Sequence, residues 1–279
     1  MTKARENSDY TGLQAEIVAG DTAARAGRKN LLLNGGFNVS QRGDYTTATT
    51  TNHLQYYLDR FYVAKAGVTA TIQDTGFAVK LVATSSATGS LRITQPLEDM
   101  ARLSGKTVTL SCQMKSNAST NSRIGIFADG WQSATAAHTG GGAWEALSIT
   151  LTLPAGITTE LSVHAGFDGV LSANIPISSG DYCEVKDFQL ELGSVATDFE
   201  YRSYGEELAL CQRYFQALTL YLNTNSAQYP MFYVTKRAAP TLSSTASGFN
   251  LAGVTPTQNS AYAYQSTGGN ATVNIDAEL

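Results

Sequence analysis

The pattern over residues 183–215, CEVKDFQLELGSVATDFEYRSYGEELALCQRYF, changes period halfway, and that change constrains the fold more than any other feature of the chain. Phe188, Leu190 and Leu192 alternate with Asp187, Gln189 and Glu191, the period of two that gives a β-strand one apolar and one polar face. Gly193 ends that strand. Ser203 followed by Glu206 is a capping-box pair, in which a hydroxyl and a carboxylate answer the orphan N–H groups of a new helix. Glu206 and Glu207 also stand where the helix dipole favours negative charge. At about 100° per residue, Leu208, Leu210, Cys211, Tyr214, Phe215 and Leu218 fall on one half of a helix drawn over residues 201–218. An arc that wide exceeds the stripe a helix needs to lie on one sheet. The expectation is a helix wedged between two bodies, either two domains or a domain and a neighbouring subunit.

Upstream, apolar alternation recurs at the short spacing of an all-β sandwich. It predicts strands over 69–74, 77–83, 90–95, 107–115, 123–129, 145–153, 160–167 and 182–192, with a first strand over 30–39. Val108, Leu110, Cys112 and Met114 alternate inward against Thr109, Ser111, Gln113 and Lys115. Trp144, leading the strand that carries Ile149, Leu151 and Leu153, fits a core or inter-sheet place. Beyond the helix, strand patterns over 218–223, 229–236, 249–252, 261–265 and 272–277 make a unit too small to bury a core alone. It should lean on the helix, on the sandwich or on copies of itself. Four parts follow: an extended N-terminal arm over 1–29, a β-sandwich over 30–200, a connecting helix over 201–218 and a small C-terminal β domain over 219–279.

FQLELGSVATDFEYRSYGEELALCQRYFQ resembles the end of a sandwich module found in many tailed-bacteriophage tail and fibre proteins. Asn30-Leu31-Leu32-Leu33-Asn34-Gly35-Gly36-Phe37, followed by Ser40-Gln41-Arg42-Gly43, is similar to the start of the same module, and Asp59-Arg60-Phe61 to an element inside it. The order of GKTVTLSCQMK, a Trp-led strand and VKDFQLE is also similar to jelly-roll carbohydrate-binding modules. The resemblance implies a jelly-roll sandwich in a non-enzymatic virion protein, a tail-fibre or host-recognition component whose ligand is a host surface glycan. A structural virion part without glycan binding, such as a head decoration, head fibre or tail adaptor, is the alternative, and a polysaccharide depolymerase a third reading. The arm over 1–29 would then dock on other virion proteins, and the protein would be made in the host cytoplasm and released by lysis. In the resembling modules an acidic residue of the last strand helps to bind a structural calcium. That implies side-chain ligands at Asn34, Asn38 and Asp187, with Lys186 standing where a second acid is common; a solvated or salt-bridged Asp187 is the other reading.

Composition sets the exclusions. A net charge of -4 and a pI near 5.4 argue against an electrostatic nucleic-acid binder. No apolar run approaches the roughly 20 residues of a membrane span, and MTKARENSDYTG has no apolar core of a secretory signal. Nucleophile-elbow, phosphate-loop, His-Glu-x-x-His and EF-hand patterns are missing, so no catalytic residue is assigned. Cys112, Cys183 and Cys211 lack metal spacing and read as small buried hydrophobes. For a glycan, the loop with Asp129, Trp131 and Gln132 is the chosen contact, because a Trp there needs a cover, either a sugar or a neighbouring subunit. The apolar arc of Leu208, Leu210, Cys211, Tyr214, Phe215 and Leu218, with the small last domain, leads to the expectation of a homotrimer.

Overall fold

The computed structural model describes residues 28–118, 121–132, 136–168, 174–222, 229–244, 249–250, 256–265 and 269–278. In chain order the first strands are β1 (Thr49–Thr50), β2 (Gln55–Leu58), β3 (Phe61–Ala66), β4 (Ala70–Asp74), β5 (Val79–Ala83) and β6 (Ala87–Pro96). A short helix α1 (Met100–Leu103) leads to β7 (Thr107–Ser116), β8 (Ser122–Ala128), β9 (Trp131–Gln132) and β10 (Ala136–Ala137). The sandwich closes with β11 (Trp144–Thr152), β12 (Leu161–Phe167), β13 (Ile175–Ile177) and β14 (Tyr182–Leu192). One sheet runs β1-β4-β5-β14-β7-β11; the other runs β10-β8-β12-β6-β3-β2, with β13 on β6 and β9 on β8. All the pairings are antiparallel, and the fold is an all-β sandwich. Alternate residues of facing strands fill the space between the sheets: Val108, Leu110 and Met114 from β7, Ile124 and Ile126 from β8, Val163 and Phe167 from β12. The three cysteines are buried free thiols, as their apolar surroundings in the sequence predict, and burial pushes each thiol up.

Residues 30–39 do not form the expected strand. Asn34 and Phe37 take φ of 58° and 55°, which breaks any ladder. The segment instead threads into a bulge of β14, where the register shifts between Lys186 and Gln189 and Asp187 takes φ 53°. Phe188 N–H donates to Gly35 O at 2.9 Å and Leu31 N–H to Leu190 O at 2.8 Å. The Asn30 amide completes the pairing, giving to Phe188 O at 3.1 Å and accepting from Leu190 N–H at 3.1 Å. The two bracketing sequence motifs are therefore one structural unit: the first satisfies the backbone that the bulge in the second leaves open.

The helix is shorter than its apolar arc implies. α2 spans Tyr204–Cys211, and β15 (Phe215–Leu222) begins within a few residues. Ser203 caps it as read, accepting from Glu206 N–H at 3.3 Å, while the Glu206 carboxylate binds Arg28 at 2.7 Å instead of closing the box. Its buried residues are Glu207 and Cys211, one turn apart. Glu207 accepts from Asn34 N–H at 2.7 Å and pairs with Arg202 at 3.3 Å, so an acid takes a more buried place on the helix than its leucines do. Cys211, Tyr214 and Phe215 are covered by this same chain, and Leu208, Leu210 and Leu218 are half-buried. The half-cylinder that motivated a trimer is not presented.

The remaining strands are β16 (Tyr229–Phe232), β17 (Thr241–Ser244), β18 (Phe249–Asn250), β19 (Ser260–Gln265) and β20 (Gly269–Asp276). They make two three-stranded sheets, β15-β20-β17 and β16-β19-β18; β17 has no counterpart in the sequence reading. This unit leans on the sandwich through a buried ionic clasp. Arg60, at the β2–β3 turn with φ 70°, is 2% exposed, pairs with Glu278, donates to Pro96 O at 2.7 Å and lies 3.6 Å over the Tyr214 ring. Arg42 binds Asp276 at 2.9 Å and Glu278 at 3.2 Å, with its guanidinium 3.8 Å over Phe215.

Asp59, fully buried beside this clasp, accepts from the Gln41 side chain at 3.0 Å, and burial pushes its carboxyl up to about 6. A carboxyl whose folded pKa exceeds its unfolded value holds a proton more tightly when folded, so stability falls as pH rises through the window from about 4 to about 6. The expected result is a loss of about 2 kcal/mol between pH 4 and pH 7 from this group alone, measured by urea unfolding. Asp59→Asn should flatten that slope; an unchanged slope would assign it elsewhere.

Candidate ligand-binding groove

The outer face of the β10-β8-β12-β6-β3-β2 sheet is built by parity. Val63, Ile93, Ala165 and Ile124 sit in register across β3, β6, β12 and β8 and face the core. Their neighbours Tyr62, Thr94, His164 and Gly125 form the next row and face outward. Arg92, Ser162 and Phe127 share that face at adjacent positions of the same ladders. The result is a groove of two adjoining hollows. One, about 300 Å³, is walled by Leu54, Tyr56, Pro96, Leu97, Met100 and Leu161. The other, about 260 Å³, is lined by His53, Arg92, Thr94, Phe127, Ser162 and His164. Leu54, Tyr62 and Glu160 belong to both.

Charge in the groove is largely paired from beneath. Asp168, fully buried, accepts from Arg92 at 2.6 Å and lies 3.3 Å from His164 Nε2. Burial works to raise the Asp168 carboxyl, yet His164 and Arg92 together hold it below the usual range. Burial keeps His164 below its ordinary value, so its ring is neutral near pH 7. The pair therefore anchors the Arg92 guanidinium at the groove floor. Tyr62 and Tyr56 meet edge to face at 5.4 Å, which sets the Tyr62 ring as the ridge between the hollows.

Asp129 lies exposed beside this surface, outside the lining of either hollow. At φ 43° its carboxylate accepts from Thr158 N–H at 2.7 Å, Thr159 N–H at 2.9 Å, the Thr159 hydroxyl at 2.6 Å and Glu160 N–H at 2.7 Å. Those donors, the Thr159 hydroxyl foremost, hold the carboxyl well below the usual range. Asp129, itself exposed, thus holds the loop that carries Glu160. Trp131 and Gln132 pair with Ala128 and Phe127 in β9; their side chains lie outside the described residues.

Of the proposed calcium ligands, Asn34 is committed to the backbone, whereas the Asn38 side-chain oxygen is buried without a hydrogen-bond partner and lines one hollow with Asp187 and Lys186; no cluster of three His, Cys, Asp or Glu side chains that could hold a metal occurs among the described residues. Asn34 Oδ1 accepts from Val39 N–H at 2.9 Å while Nδ2 gives to Val39 O at 2.8 Å and Asp59 O at 3.0 Å. Asp187 lies on the other sheet's outer face, 3.4 Å from the Tyr201 hydroxyl, and Lys186 is drawn to within 4.7 Å of the Trp144 ring centroid. Trp144 itself is 38% exposed, which corrects its core assignment. Its even number against odd Ile149, Leu151 and Leu153 put it on the opposite face, and that signal was present in the sequence. The same parity marks Arg92 between Leu91 and Ile93, and His164 between Val163 and Ala165, as outward polar residues that the sequence reading passed over.

Compared with known proteins, the chain matches no family model and no curated protein. Among solved structures it is similar to a CBM4 at 15% identity and a TM-score of 0.40, over 57% of this chain and 98% of that one. It is similar to the enzymatically active domain of tailspike protein 4 from bacteriophage CBA120 at 15% identity and a TM-score of 0.36, over 59% of this chain and 21% of that one. A family 16 carbohydrate-binding module is similar at 14% identity and a TM-score of 0.31, over 44% of this chain and 86% of that one.

Proposed function

We propose that this protein is a non-enzymatic component of a bacteriophage virion that binds a host surface glycan in the groove over β3, β6, β12 and β8. The virion half of the reading is supported by the resemblance of residues 30–43 and 188–216 to phage tail and fibre proteins. The glycan half is carried by one observation: the Tyr62 ring stands between a largely apolar hollow and a polar one that presents Arg92 and Glu160, with Ser162 and His164 buried beneath them. Saccharides need this combination, an aromatic face for their C–H surface and fixed planar donors and acceptors for their hydroxyls. The open, preformed groove suits a chain that enters and leaves without a conformational step.

The test is affinity electrophoresis in gels containing host-envelope polysaccharide. Tyr62→Ala is expected to weaken retention about tenfold, equivalent to ~1.4 kcal/mol, with Tm nearly unchanged because the ring is partly exposed. Trp144→Ala, on the opposite sheet, serves as the control and should retain normally. No new reducing ends should form. Equal retention of Tyr62→Ala and the parent would remove the groove from consideration, and an absence of retention by the parent would leave a structural virion part.

A further inference from the structure

Leu54 is held in a conformation that a leucine resists. Its φ is 57°, in the left-handed region that bulky side chains avoid, and the residue is 58% exposed. Backbone contacts fix it there: Leu54 N–H donates to Val63 O at 2.8 Å, and the adjacent His53 Nδ1 accepts from Lys65 N–H at 3.1 Å. An asparagine or glycine would occupy this turn without strain. A strained, exposed apolar residue at the rim of a groove is an outlier that points to function.

What Leu54 does is complete a wall. Together with Tyr56, Pro96, Leu97, Met100 and Leu161 it makes the larger hollow apolar, whereas the hollow across Tyr62 is polar. A ligand bearing hydroxyls alone would use the polar end and leave the apolar end in contact with water. We infer that the groove selects a saccharide carrying a methyl-bearing substituent, an acetylated or 6-deoxy sugar, whose methyl group enters the Leu54 hollow while its ring hydroxyls meet Arg92 and Glu160. This rests on the glycan reading above and adds the class of sugar.

Paired methyl glycosides test it: N-acetyl-D-glucosamine against D-glucose, and 6-deoxy-D-galactose against D-galactose, titrated on the full chain by NMR. The methyl-bearing member of at least one pair should bind about tenfold more tightly, the discrimination that a buried methyl group supplies. In Leu54→Asn that preference should fall to near unity, with Tm equal or higher because Asn tolerates the left-handed turn. Met100→Ala, which changes the far wall without touching the turn, should reduce the preference as well. Equal binding within both pairs, or a preference that survives both substitutions, overturns the inference and leaves the glycan reading standing. Binding of none of the four sugars at their solubility limit overturns both.

Discussion

Gly35→Ala is expected to lower stability by about 3 kcal/mol or more, with a fall in Tm of roughly 6 to 12 °C. A Cβ at Gly35 would lie 2.1 Å from Phe188 O and 3.3 Å from Phe188 C. Both are backbone atoms of the β14 bulge, and neither has a rotamer in which to escape. The bulge cannot retreat, because Phe188 is fully buried against the Phe61 ring and its N–H is bonded to Gly35 O. Relief requires the 30–37 segment to lift off, which would strand the Asn30 and Asn34 amides that it buries. Gly36→Ala is the internal control, since its Cβ would meet only the Phe199 ring at 3.5 Å, ordinary contact. Thermal unfolding of the two variants decides the matter. Equal, small shifts would mean that the brace between the two motifs is looser than described.

Glu278→Ala should cost about 3 to 5 kcal/mol, the range for removing one partner of a buried ion pair. The Glu278 side chain is 5% exposed and answers two guanidiniums, Arg60 and Arg42. Without it Arg60 keeps only Pro96 O and the Tyr214 ring, too little for a charge out of water. The small domain should then detach first, seen as faster amide exchange in β15 and β20 than in β7 and β14. Little dependence on salt is expected, because the pair is buried. Glu278→Leu combined with Arg60→Met should recover much of the loss by replacing the pair with apolar packing. A cost below about 1 kcal/mol for Glu278→Ala, the range of exposed pairs, would demote the clasp to a surface contact. The clasp also reaches the groove: Arg60 holds Pro96 O, and Arg237 lies 3.8 Å from Glu98, next to the Leu97 wall. Weaker sugar binding in Glu278→Ala is the expected consequence.

Local pattern was sufficient wherever one residue's neighbours along the chain decide its state. Strand period placed β4 to β8, β11, β12 and β14 within a few residues, because alternation directly reports which face is apolar. Ser203 capped its helix for the same reason, as the cap needs only the next turn. Apolar periodicity also placed Cys112 and Cys211 inside.

Partners distant in the chain decided the rest. Helix α2 buries Glu207 because Asn34 N–H on the sandwich and Arg202, just ahead of the helix, satisfy its carboxylate, and apolar periodicity sees neither. Residues 30–39 look like a strand until β14 bulges and calls for a brace in place of a neighbour. The groove is a matter of register: Tyr62, Thr94 and His164 are more than 100 positions apart at their extremes, yet one ladder aligns them. A single-residue slip would turn those side chains into the core. The sequence by itself determined which residues could face outward; the pairing of strands alone decided which of them meet.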